Sequence, residues 1–116
     1  MTGFSYFCNM SDQLDIIKEL KVLLTQKAGE DIKDVVLFGS QIQKNRNEES
    51  DYDVLIVLNK KYTWPERRTI RDVCYEISLK YDIIIDSKII SIQELQSNLL
   101  KNHPLYQDAL NQGLYA

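Results

Sequence analysis

The eight residues Asp51-Tyr-Asp-Val-Leu-Ile-Val-Leu58 limit the fold more than any other stretch of the chain. From Val54 the run is apolar without a break. A strand there is apolar on both faces, as the central strand of a sheet is. The run is also the longest apolar one present, far short of the ~20 residues that a membrane span needs. Two further strands are predicted, over Asp34–Phe38 and over Asp82–Ile90. Apolar residues recur at helical spacing in Ile16, Ile17, Leu20, Leu23, Leu24 and Ala28, after a Ser11 cap and before Gly29. A second helix starts near Trp64 with Pro65 in its first turn, its stripe being Ile70, Val73, Cys74, Ile77 and Tyr81. Ser91-Ile-Gln-Glu94 is a capping box that opens a helix to about Leu100, and Pro104 opens a last one that stops near Gly113. Helices interleaved with strands imply an α/β (α+β) domain: a small mixed β-sheet with helices packed on it.

Length and charge narrow the function classes. The 116 residues fit one domain, 11–116, preceded by an N-terminal arm, 1–10, that has no clear period. The arm is read either as disordered, with Met10 as the true start, or as a segment that packs or pairs. It has no basic residue and no apolar core, so it is not a secretory signal. The net charge of −3 argues against nonspecific nucleic-acid binding through a basic surface. Two cysteines, Cys8 and Cys74, make no disulfide framework, and a cytoplasmic location is the expectation. Gly and Pro together number only six, which favours long regular elements over turns.

The chemistry concentrates around the central strand. Phe38-Gly39-Ser40 is a strand end followed by a residue without a Cβ and then a hydroxyl, a combination that lets a phosphate approach the backbone. Asp51 and Asp53 stand at i and i+2, so a strand points both carboxylates to one face. Like charges this close call for a cation between them, and Mg²⁺ is bound through one or two carboxylates plus substrate phosphates. A third carboxylate is available on the last strand. Asp82 and Asp86 share parity, and Asp86 is the sharper candidate because it sits inside an apolar run, unless it simply pairs with Lys88.

Taken together, Val35-Val-Leu-Phe-Gly-Ser40, a ten-residue spacer and Ser50-Asp-Tyr-Asp-Val-Leu-Ile-Val57 resemble the minimal nucleotidyltransferases of the DNA polymerase β superfamily. The element order and the C-terminal Pro104-Leu-Tyr and Gly113-Leu-Tyr115 are similar too. The resemblance implies the palm-type nucleotidyltransferase fold over 11–116. It implies that Gly39 and Ser40 hold a nucleotide triphosphate, ATP above all. Asp51, Asp53 and Asp86 would be catalytic and would bind two Mg²⁺ ions, with Asp86 assisting the attacking hydroxyl. Stand-alone members resemble antitoxins paired with a HEPN-domain ribonuclease toxin, and the activity implied is transfer of AMP to a toxin tyrosine.

The sequence departs from the family pattern after Ser40. Many members carry Arg residues and then Gly there, whereas this chain reads Gln41-Ile42-Gln43-Lys44, with Arg46 in the loop to compensate at the phosphates. The departure favours an alternative, a binding module that neutralises its partner by occlusion alone. A small-molecule nucleotidyltransferase is the third reading; its acceptor site would have to come from a homo-oligomer. His103, ahead of Pro104, is expected to cap or to lie at the surface. Cys74 and Tyr52 are expected in the core. Lys60 and Lys61 are read as solvated charge, and Arg67, Arg68 and Arg71 as solvated or partner-facing.

Overall fold

The computed structural model describes residues 10–29, 31–38, 51–97 and 102–116, with backbone alone for 10–12 and 51. Helix α1 spans Met10–Ala28 and ends at Gly29, whose φ of +93° is one that few other residues adopt. Strand β1 (Ile32–Phe38) runs antiparallel to β2 (Asp51–Leu58). Helix α2 (Trp64–Tyr81) then crosses over to β3 (Ile84–Ser91), which pairs parallel with β2. The short α3 (Ile92–Leu95), α4 (Pro104–Gln112) and β4 (Leu114–Tyr115) follow. The sheet order is β3-β2-β1-β4, so β2 is interior, as its apolar run predicts.

Local chemistry sets the ends of these elements. Thr63 and Glu66 form a reciprocal capping box: the Thr63 amide donates to Glu66 Oε1 at 2.8 Å, and the Glu66 amide donates to Thr63 Oγ1 at 3.4 Å. Ser91 and Glu94 repeat the device at the start of α3. The helix expected to reach Leu100 ends at Leu95, with Gln96 as its cap, and 98–101 lie outside the described residues. Ser11 lies inside α1 rather than capping it, since the helix already includes Met10. Met10, expected in the arm, is helical, and residues 1–9 lie outside the described ones.

Strand β4 has no counterpart among the expected elements, because two residues carry no period. It exists through its partners, Val36↔Tyr115 and Leu37↔Leu114. The third strand starts at Ile84, not at Asp82. Asp82 instead caps α2 in the left-handed region, with φ 55° and ψ 49°.

Both faces of the sheet are covered, but unequally. On one face Val35, Leu37, Tyr52, Val54 and Ile56 pack with Ile17, Leu20 and Leu24 of α1 and with Ile70, Val73 and Ile77 of α2. On the other, Val36, Phe38, Leu55, Val57 and Ile90 pack with Ala109 of α4, flanked by Leu105, Tyr106 and Leu110. Each such side chain stabilises the fold by roughly 1.5–3 kcal/mol relative to exposure. No described helix is long and apolar enough to cross a membrane.

Candidate active site

Three strands meet at the point where the second core cluster stops. Phe38, the last residue of β1, is in register with Asp53, and Asp53 is in register with Asp86 of β3. Strand alternation places Asp53 on the face of Leu55 and Val57, and Asp86 on the face of Ile90. Residues in register on neighbouring strands lie about 4.8 Å apart with their side chains on one side. Burial changes along this face of β3. Ile84 is 61% exposed, Asp86 is exposed, Lys88 is half-buried and Ile90 is 2% exposed. The helical cover therefore reaches Phe38, Leu55 and Ile90, and the acidic pair stands just beyond it.

Asp53 is half-buried beside the exposed Asp86. Neither Asp86 nor Lys88 takes part in an ion pair among the described residues, so the Asp86–Lys88 pair is not formed. The described ion pairs lie elsewhere: Lys33–Asp34, Lys60 with Asp31 and Glu66, and Lys80–Glu19. Asp82, in the α2 cap, is off the strand that carries Asp86. Asp51 opens β2 in register with Ile84, and its side chain lies outside the described residues. Gly39, Ser40 and Arg46 lie outside them as well, as do residues 41–44. Gly39 nevertheless follows Phe38 directly, and Phe38 is fixed opposite Asp53. No three His, Cys, Asp or Glu side chains gather as a metal site among the described residues.

The remaining residues singled out in the sequence have plain roles. Tyr52 is 1% exposed and sits in the α1/α2 core, on the face opposite Asp53. Cys74 is a free, buried thiol, pushed up to about 11 by its burial. His103 is the N-cap of α4, its Nδ1 accepting from the Leu105 amide at 3.2 Å. Lys60 bridges Asp31 and Glu66 at 3.3 and 3.8 Å rather than standing alone in solvent. Arg67 lies 6.0 Å above the Trp64 ring, a cation–π contact within its own helix.

Sequence reasoning missed two groupings. Shared parity marks Lys88 as a pairing partner of Asp86, and no signal in the sequence gives it a further role on the acidic face. Glu19 of α1 accepts hydrogen bonds from Lys80 and the Tyr81 hydroxyl of α2. No local pattern marks that contact across 61 residues of sequence.

Comparison with known proteins bears on the family and the fold. Residues 11–109 match the family model described as "Polymerase beta, Nucleotidyltransferase". A relative from Methanocaldococcus jannaschii, named "Putative protein adenylyltransferase MJ0141", is 36% identical over 87 residues, 75% of this chain and 87% of the relative. The fold is similar to a crystal structure of a toxin–antitoxin with AMP-PNP: TM-score 0.56, 17% identity, 88% of this chain and 70% of the other. It is also similar to the tri-AMPylated Shewanella oneidensis HEPN toxin in complex with MNT antitoxin: TM-score 0.50, 17% identity, 89% and 69% covered.

Proposed function

The chain belongs to the polymerase β nucleotidyltransferase family, and from that premise we propose that it moves AMP from ATP to a tyrosine hydroxyl of a HEPN-type toxin, acting as its antitoxin. The chain is a nucleotidyltransferase. The adenylyl group, the protein acceptor and the toxin partner are supported by the name of the archaeal relative and by the neighbours described above. The observation that carries the reading is the Asp53–Asp86 register beside Phe38, with Gly39 next in sequence.

The donor set fits hard divalent cations. It is all oxygen, it is anionic, and its two described members are neighbours across one strand pair. Asp51, Asp53 and Asp86 would hold Mg²⁺. Bound there, Mg²⁺ supplies positive charge to the phosphates and to the attacking and leaving oxygens. The chain's own residues do the rest. Gly39 and Ser40, with Arg46, bind the triphosphate. Asp86 accepts the proton of the acceptor hydroxyl as the oxygen–phosphorus bond forms and the bond to pyrophosphate breaks.

The test is transfer of radiolabelled AMP from ATP to the purified cognate toxin. Asp51→Asn combined with Asp53→Asn is expected to abolish labelling, and intact labelling would sink the proposal. Gln41-Ile42-Gln43-Lys44, which lacks the family's usual arginines, favours the second reading, occlusion without catalysis. Calorimetry separates the two, because no binding of Mg²⁺–ATP at millimolar nucleotide would leave occlusion alone.

A further inference from the structure

We infer that Lys88 is the acceptor-side cation of the site, holding the acceptor oxygen as its negative charge develops. The inference rests on the nucleotidyl-transfer reading and adds a residue to it. The sheet order separates the two substrates. β1, which leads into Gly39 and Ser40, lies on one side of β2, and β3 lies on the other as the edge strand. A triphosphate held after β1 leaves the β3 side to the acceptor. Asp86 is on that side, and so is Lys88.

Lys88 is placed for this role by three facts. It shares the face of Asp86 and Ile90, and it is in register with Leu55, two residues along from Asp53. It lies about 6.6 Å along the strand from Asp86, a distance a lysine stem spans. It is half-buried and has no ion-pair partner among the described residues. Its stem can lie along the apolar end of the face while its ammonium reaches the polar end. A lysine that were only neutralising Asp86 would be paired with it, and this one is not. Its charge is therefore left for an anion arriving from outside, and the anion on the β3 side is the acceptor oxygen as it loses its proton to Asp86. Lys88 supplies charge only.

The experiment uses full-length protein, Mg²⁺, radiolabelled ATP and the purified HEPN-type toxin as acceptor. Lys88→Met is expected to lower kcat by roughly 100- to 1,000-fold, the range for losing one charge-stabilising donor. KM for ATP, and the calorimetric affinity for ATP, should stay within about twofold, because uniform nucleotide binding is untouched. Lys88→Arg should restore most of the rate, which a packing defect would not allow. Lys88→Met with unchanged kcat overturns the inference, as does a loss confined to ATP affinity, or Lys88→Arg as poor as Lys88→Met. Asp53→Asn is the control. Dead Asp53→Asn with normal Lys88→Met rejects Lys88 alone, whereas a wild type that labels nothing rejects the transfer reading and this inference with it.

Discussion

Replacing Asp86 with Asn should stabilise the metal-free protein while destroying its activity. Asp86 and Asp53 are in register on adjacent strands, so their carboxylates stand about 5 Å apart on one face. Two like charges at that distance repel by about 0.8 kcal/mol in water and about 3 kcal/mol at an effective dielectric of 20. Asp86 is exposed and Asp53 half-buried, which places the pair near the water limit, at about 1 kcal/mol. Asn is as poor a strand former as Asp, so the change is chiefly one of charge. The expected gain is at most about 3–6 °C in Tm, because the Lys88 charge on the same face offsets part of the repulsion, and it is measured by calorimetry in EDTA. Salt should shrink the difference, since screening at 1 M acts within about 3 Å. Added Mg²⁺ should raise Tm for the wild type and much less for Asp86→Asn, reversing their order. An Asn variant that melts below the wild type in EDTA would show that Asp86 is held by favourable contacts. β2 and β3 would then hold no cation site between them.

Three further outcomes test the fold that carries the site. A Cβ on Gly113 would lie 2.3 Å from both the Ala109 carbonyl oxygen and Val36 Cγ1, so Gly113→Ala should cost about 1–3 kcal/mol, read from urea melts. An unchanged midpoint would show that β4 is not docked on β1. Hydrogen bonds from Lys80 and the Tyr81 hydroxyl hold the Glu19 carboxyl below its usual value. Its contribution is fully present above the ordinary carboxylate range and is lost as pH falls through the lowered folded value. Glu19→Gln should therefore lower stability at neutral pH and flatten its dependence on pH below about 4.5, seen in melts across the acid range. In a Cys8→Ser background, burial should keep Cys74 unlabelled by iodoacetamide at pH 8 until denaturant opens the core, because its thiol is pushed up to about 11. Rapid labelling of the folded protein would contradict the packing of α2.

The sequence was most legible where one short-range rule governs. The apolar run of β2, the α2 stripe of Ile70, Val73, Cys74 and Ile77, and the boxes at Thr63–Glu66 and Ser91–Glu94 all follow from period or capping chemistry. The parity of Asp53 and Asp86 was legible too, but their adjacency was not. Register between β2 and β3 is set by the α2 crossover and by the packing of two faces, and neither appears in a local window. Asp82 drops out as the alternative to Asp86 because its left-handed backbone, in a helix cap, breaks the strand period that gave the two the same parity. β4 was invisible because its two residues are ordered by β1, including the hydrogen bond from the Ala116 amide to the Val35 carbonyl at 2.9 Å.

The magnitudes explain why β2 can carry acidic residues at its start. Val54 to Leu58 are at most 3% exposed. Each stabilises the sheet by roughly 1.5–3 kcal/mol, several-fold in total over the repulsion of about 1 kcal/mol between Asp53 and Asp86. The buried half of the strand thus holds the polar half in register, and it holds β3 with it, since Ile89 and Ile90 pair with Ile56 and Val57 in the same ladder. The acidic pair does not have to stabilise itself. Its position follows from neighbours one and two residues further along. A substitution such as Ile56→Ala should therefore weaken the fold by about 2–5 kcal/mol and yet leave catalysis per folded molecule near that of the wild type. Asp86→Asn should do the opposite on both counts.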